Sequence, residues 1–222
     1  MKKIFFSLLF LSFASLGFSQ FVNGLGFFIA GEGSRHKYKD SNDPATYGSH
    51  KGKLLFRPAG GIVADFGNSR NLKWRTEFEY NMQGSTERVA NPDGATQKYK
   101  NKLDYISWNN FMKIQGEVYA GFPYILLGPR VEYLFRNKPQ AYVPVMSGLS
   151  KFQFSWDVGA GFEFMAYGPA RLFAEYHYHS DLKALYKRDN LKVNNLTHEL
   201  RVGIMFKFAD RKNSCNAPTY SE

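Results

Sequence analysis

The chain has 222 residues, of which 44% are hydrophobic and 17% aromatic, and carries a formal charge of +10. Its length suits one domain, and its wealth of aromatic and apolar residues excludes a disordered chain. The single cysteine, Cys215, excludes an internal disulfide, and beyond the N-terminus no stretch approaches the ~18 consecutive apolar residues of a transmembrane helix.

The first segment, MKKIFFSLLFLSFASLGFSQ, places Lys2 and Lys3 before an apolar run from Ile4 to Leu16, followed by the small residues Gly17 and Ser19. This is the layout of a secretory signal peptide. The run is short for a helical span of about 20 residues, so cleavage after Ser19 is expected, with residues 1–19 removed. No cysteine adjoins that point for lipid attachment.

Eight later segments carry strand signals, and none reads as a helix: 21–38, 53–66, 72–84, 103–117, 124–136, 152–165, 171–182 and 196–208. The first and fourth alternate less regularly, and Asn110 falls on the apolar face of the fourth. In the third, LKWRTEFEYNMQ, Leu72, Trp74, Phe78, Tyr80 and Met82 alternate with Lys73, Arg75, Glu77, Glu79, Asn81 and Gln83. The fifth sets Ile125, Leu127, Val131, Tyr133 and Phe135 against Arg130, Glu132 and Arg136. The sixth, KFQFSWDVGAGFEF, alternates from Phe152 to Phe164, and the last, THELRVGIMFKF, from Leu200 to Phe208. Period-two alternation marks strands with two unlike faces. The links after segments two, four and six are short, whereas 39–52, 85–102 and the other odd-numbered links are long and polar. In a meander this gathers every long link at one end, as in small outer-membrane barrels.

Alternation alone does not say which face meets the solvent, but three features favour the charged face as the interior. Acids on that face of segments two to eight are Asp65, Glu77, Glu79, Glu132, Asp157, Glu163, Glu175, Asp181 and Glu199. Bases are Arg57, Lys73, Arg75, Lys113, Arg130, Arg136, Arg171, Arg201 and Lys207, nine against nine. Buried charges must be paired, and a charge network is expected from Arg75, Glu77, Glu79, Arg130, Glu132, Asp157, Glu163, Glu175 and Arg201. Gly128, Gly159, Gly161 and Gly203 share this face and suit a crowded eight-stranded interior. Finally, Phe66, Trp74, Phe164, Tyr167, Phe206 and Phe208 gather at one rim, like a membrane-interface girdle. The rival is a soluble, lipocalin-like barrel with the aromatic face inside; neither a Gly-x-Trp start nor a disulfide pair accompanies it.

The stretches PYILLGPRVEYLF (123–135) and WDVGAGFEF (156–164), with a last strand ending on Phe, resemble the small outer-membrane protein β-barrel domain family of Bacteroidetes-type bacteria, which shares the architecture of the OmpA-type barrel. The resemblance covers mainly 103–208, and Asn109 stands where the family usually has a proline. It implies an all-β, eight-stranded antiparallel up-and-down transmembrane barrel over residues 20–208, in the cell outer membrane, and no shared chemistry. It also implies that the barrel-assembly machinery reads Phe208, although a polar periplasmic tail, 209–222, follows.

Ser180 and His198 are the sharpest catalytic candidates. Facing lipid across a hairpin, they would form a Ser–His pair able to attack a lipopolysaccharide acyl ester, but the His-x-Ser-Asn motif of the lipid A deacylases, which this chain resembles in size, is absent. They read more simply as interfacial polar residues, and no enzyme activity is expected. His177 and His179 face inward beside Glu175 and Asp181 and read as members of the hydrogen-bond network. No metal or cofactor is expected. The long links are basic, with Arg35, Lys37, Lys39, Lys51 and Lys53 at the first, Lys98, Lys100 and Lys102 in the second, and Lys183, Lys187, Arg188 and Lys192 in the last. The expected role is structural or interactive, with a filled, charged lumen and with contacts to outer-membrane lipid, lipopolysaccharide and protein partners rather than nucleic acid. A narrow porin or a barrel subunit of a secretion machine is the alternative.

Overall fold

In the computed structural model the described residues are 22–40, 52–90, 96–140, 148–165, 168–188 and 191–208. The expected signal peptide, the tail with Cys215, and Tyr167 lie outside them. The strands are β1 (Val22–Asp40), β2 (Leu55–Phe66), β3 (Leu72–Ala90), β4 (Thr96–Gln115), β5 (Gly121–Lys138), β6 (Phe152–Met165), β7 (Ala170–Asp181), β8 (Tyr186–Arg188) and β9 (Leu191–Lys207). Each long strand pairs antiparallel with its chain neighbour, and β9 pairs with both β7 and β1. Eight strands thus close into one ring with no free edge. The three-residue β8 folds back on the start of β9, Tyr186 opposite Val193, along the edge that β7 pairs with further on.

Several strands run further than their alternation foretells. The stretch 85–102, expected as a long loop, is mostly paired strand, because β3 and β4 stay in step from Leu72 opposite Ile114 to Ala90 opposite Thr96. β1 and β9 likewise pair as far as Asp40 opposite Leu191. Here the outward face is polar, so the apolar half of the alternation is lost while the backbone ladder, which needs no particular side chain, continues. At the other end the links are tight; Gly67 and Gly168 adopt the left-handed φ values of 95° and 61° that their turns require.

The ring is inside out relative to a water-soluble barrel. Its outer wall carries Phe27, Ile62, Phe78, Trp108, Ile125, Phe154 and Leu172, all exposed, and Ile29 and Leu200 reach 69% and 67% exposure. Arg75, Glu77, Arg130, Asp157, Glu175 and Arg201 are buried inside. So continuous an apolar exterior is unsuited to water and matches the hydrocarbon band of a membrane barrel. Among the described residues no helix is long and apolar enough to cross a membrane.

One expected inward residue is turned out. A bulge shifts the β4–β5 pairing from Asp104 opposite Arg136 to Tyr105 opposite Leu134, leaving Phe135 as the extra residue. An added residue reverses the faces beyond it. Leu134, on the inward parity of Arg130 and Glu132, packs against inward apolar residues, while beyond the bulge the Arg136 side chain is 54% exposed and lies 3.9 Å from Asp104.

A closed ring of ladders should resist detergent until boiled. Unboiled and boiled samples of the protein are expected to migrate differently in a denaturing gel, whereas identical migration would contradict the closed ring.

Candidate functional site

The charged interior is built on parity. On β3, Arg75, Glu77 and Glu79 project inward while Trp74, Phe78 and Tyr80 project outward, and β5, β6, β7 and β9 repeat the pattern. The end with short links holds a compact cluster around two carboxylates. Asp65 accepts from Arg75 Nε at 2.6 Å, Lys113 Nζ at 3.0 Å and Lys207 Nζ at 2.6 Å. Glu163 accepts from Lys113, from Lys207 at 3.2 Å and from Arg171 at 3.2 Å. Aromatic rings cover these cations, with Lys113 4.3 Å from the Tyr124 ring centre and Arg171 4.0 Å from that of Phe122.

The middle of the barrel is organised by three arginines. Arg75 also donates to Glu175, whose second oxygen lies 3.1 Å from His177 Nε2, while His177 Nδ1 is 3.0 Å from Asp157. Arg201 donates to Glu77 at 2.6 Å, Glu199 at 2.7 Å and Glu79 at 3.0 Å. Arg130 donates to Glu132 at 2.9 Å and Glu79 at 3.1 Å, and its Nη1 lies 3.7 Å from Asp157. A planar guanidinium can serve several carboxylates at once. All nine residues named for the charge network are buried and lie in one connected set.

Glycine creates the space for this packing. A Cβ on Gly159 would come within 2.8 Å of the His177 ring, and one on Gly161 within 2.7 Å of both Glu175 and the Tyr124 ring. The small residues on the charged face are thus complements of particular large neighbours.

Other findings revise the sequence reading. Nine acids do not face nine bases in the interior. Glu32, Glu87 and Asp104 are also buried there, whereas only Arg75, Lys113, Arg130 and Arg201 among the nine bases are fully buried, and Arg136 is outside. Glu32 went unassigned because the first strand alternates weakly. Asn109 is a network member, donating to Glu77 at 3.2 Å and to Glu79 at 3.1 Å; its inward parity was the available signal. Apolar layers line the interior between and above the charges. Phe28, Val63, Phe173 and Met205 form one between the arginines and the short-link charge cluster, and Tyr38, Leu103, Tyr105, Leu149, Leu185 and Val193 form another towards the long links. Leu149 and Leu185 come from polar-looking links and gave no periodic signal.

The candidate Ser–His pair is not formed. Ser180 stands opposite Leu196, while His198 stands opposite Tyr178, with its Nδ1 2.7 Å from the Tyr176 hydroxyl. The register running from Arg188 opposite Leu191 to Tyr178 opposite His198 leaves Ser180 two residues from the position that faces His198. His177 joins the network, and His179 is buried 3.8 Å from Glu32 and Asp157. Among the described residues no three His, Cys, Asp or Glu side chains are placed to hold a metal ion.

Of the rim aromatics, Trp74, Phe164, Phe206 and Phe208 are exposed on the outer wall and Phe66 is half-buried opposite Trp74. Lys39, Lys53, Lys98, Lys100, Lys102, Lys183 and Lys192 are exposed at the long-link end, and Arg35 and Lys37 are half-buried. Lys51 and the side chains of Lys187 and Arg188 lie outside the described residues.

Outer membrane protein OprG from Pseudomonas aeruginosa is similar at 12% identity and a TM-score of 0.50, over 85% of this chain and 98% of that one. Neisserial surface protein A is similar at 18% identity and a TM-score of 0.40, over 82% and 97% of the two chains. Ail, the attachment invasion locus protein of Yersinia pestis, is similar at 16% identity and a TM-score of 0.39, over 83% and 99%. No curated protein matches this chain. The model of a protein family, outer membrane protein beta-barrel domain, matches residues 17–185, most of the ring. The chain therefore belongs to the outer membrane protein beta-barrel domain family, and its place is the cell outer membrane.

Proposed function

We propose that this protein is a non-enzymatic structural and interaction barrel, with a filled, charged lumen and basic extracellular ends that contact lipopolysaccharide or protein partners. The observation that carries this reading is the Arg75–Arg130–Arg201 network, whose carboxylate partners come from β2, β3, β5, β6, β7 and β9 and meet across the interior. Ion pairs spanning the bore leave little free width in a barrel of this strand number. The lysines at the long-link end support the second half of the reading, because cationic side chains attract the phosphates of lipopolysaccharide.

Planar-bilayer recordings of the purified, refolded protein test the filled lumen. No stable conductance steps are expected from the native sequence. Reproducible steps would replace this reading with that of a narrow porin. Binding of lipopolysaccharide to the native protein and to a Lys98→Gln, Lys100→Gln, Lys102→Gln triple variant tests the basic ends; equal binding would remove them from the proposal.

A further inference from the structure

The outer face of β1 changes character along its length. Leu25, Phe27 and Ile29 are exposed and apolar, Gly31 and Gly33 follow, and Arg35, Lys37 and Lys39 complete the row towards the long links. Strand direction repeats every two residues, so all of these positions share one face.

At the glycines the wall is hollow. Gly31 stands opposite Pro58 on β2 and Leu200 on β9, and one step nearer the short links Ile29 stands between Gly60 and Val202. Large side chains on the β9 side and small ones on the β2 side leave a trough of about 400 Å³, bordered by Ile29, Gly31, Pro58, Leu200 and Val202. A Cβ added to Gly31 would meet nothing within 4 Å, so the space lies on the outside of the wall.

The next row towards the long links runs Tyr178, His198, Gly33, Phe56 across β7, β9, β1 and β2, and the exposed Phe56 ring leans over Gly33. Aromatic rows of this kind mark the boundary between hydrocarbon and headgroups. Arg35 is the next outward residue of β1 beyond that row, and its Nε has no hydrogen-bond partner. It stands about 13 Å along the strand from Gly31, less than the ~15 Å depth of one hydrocarbon leaflet. Among the described outward residues of β1, β2 and β9 beyond Gly31, none is acidic.

Apolar walls accept a hydrocarbon without leaving a polar group unpaired, and filling the trough recovers the van der Waals contacts that a void forfeits. A second copy of the chain fits less well. Two barrels meeting at this seam in one membrane would set their Arg35, Lys37 and Lys39 rows against each other at the same level, and juxtaposed like charges are costly. A lipid that carries both an acyl chain and a phosphate serves the trough and the cations together.

We infer that the β9–β1–β2 seam is a lipopolysaccharide site, with one acyl chain lying in the trough over Gly31 and a lipid A phosphate against Arg35. The site rests on the reading that the basic ends contact lipopolysaccharide, and it adds an acyl-chain seat that lysines alone do not supply. Native mass spectrometry of the refolded barrel, released from detergent micelles and titrated with diphosphoryl lipid A, tests it. One tightly held lipid A per barrel is expected. Gly31→Leu, which fills the trough, and Arg35→Gln should each weaken it about tenfold, the scale of one charge-assisted hydrogen bond. Val158→Leu, which adds bulk to the exposed wall of β6, should leave it unchanged. Heat-dependent gel migration first establishes that each variant folds, and Arg35→Gln is read alone if Gly31→Leu does not fold. Absence of a tightly held lipid A, undiminished affinity in the folded variants, or equal weakening by Val158→Leu would overturn the proposal. So would equal retention of lipid A stripped of its phosphates, or barrel dimers that vanish in Gly31→Leu, the result if a second copy fills the trough. A loss confined to the Lys98→Gln, Lys100→Gln, Lys102→Gln variant would also overturn it while leaving the basic ends as the lipopolysaccharide contact.

Discussion

Replacing Arg201 by Met is expected to destabilise the barrel by about 3–5 kcal/mol, the usual cost of removing one partner from a buried ion pair. Arg201 is the shared donor of Glu77, Glu79 and Glu199, and its guanidinium lies 4.6 Å from the Phe28 ring centre. Met fills similar space, so the main loss is charge compensation. Glu79 keeps Arg130 and Asn109, and Glu77 keeps Asn109, but Glu199 loses its hydrogen bonds from Arg201. Removing a carboxylate in the same background, Glu199→Gln with Arg201→Met, should recover part of the stability. Arg70 offers the contrast: its pair with Glu117 is solvent-exposed, and Arg70→Met should cost at most about 1 kcal/mol. Urea unfolding in phospholipid vesicles, followed by tryptophan fluorescence, measures all three. Equal midpoints for Arg201→Met and the native protein would show that the interior charges are solvated rather than mutually compensated.

The outer wall makes the second large prediction. Val202 lies in the apolar band of β9 between Leu200 and Ile204, with Ile29 and Ala174 as cross-strand neighbours, and is 55% exposed. In water, arginine at such a site would be close to neutral. Facing hydrocarbon, Val202→Arg should cost about 2–4 kcal/mol if the site is near the bilayer midplane, and the same change at an interfacial site about 0–1 kcal/mol. Leu182, exposed at the long-link end of β7, serves as the interfacial comparison. A larger loss for Val202→Arg than for Leu182→Arg in the same vesicle assay is the expected result. Equal small losses would mean that this wall does not face lipid.

Local parity made much of this protein legible from its sequence. The sequence from Phe152 to Phe164 already separates an apolar from a charged face, and the same holds from Leu72 to Gln83 and from Leu200 to Phe208, because side-chain direction in a strand repeats every two residues whatever the rest of the chain does. That is why the nine network residues could be named together. Short links carrying Gly67 and Gly168 set against longer polar ones likewise ordered the strands into a meander. What parity could not show is anything that depends on how strands are staggered around the ring. The bulge that turns Arg136 outward, the offset that separates Ser180 from His198 and the pairing of 85–102 follow from cross-strand register, which a single strand does not encode. Closure of β9 on β1, the space that Gly159 and Gly161 leave for His177 and Glu175, and the meeting of Leu149 and Leu185 with Tyr38, Leu103 and Val193 join residues far apart in the chain. They were decided only when the ring closed, since one interior must then accommodate side chains from all eight strands at once.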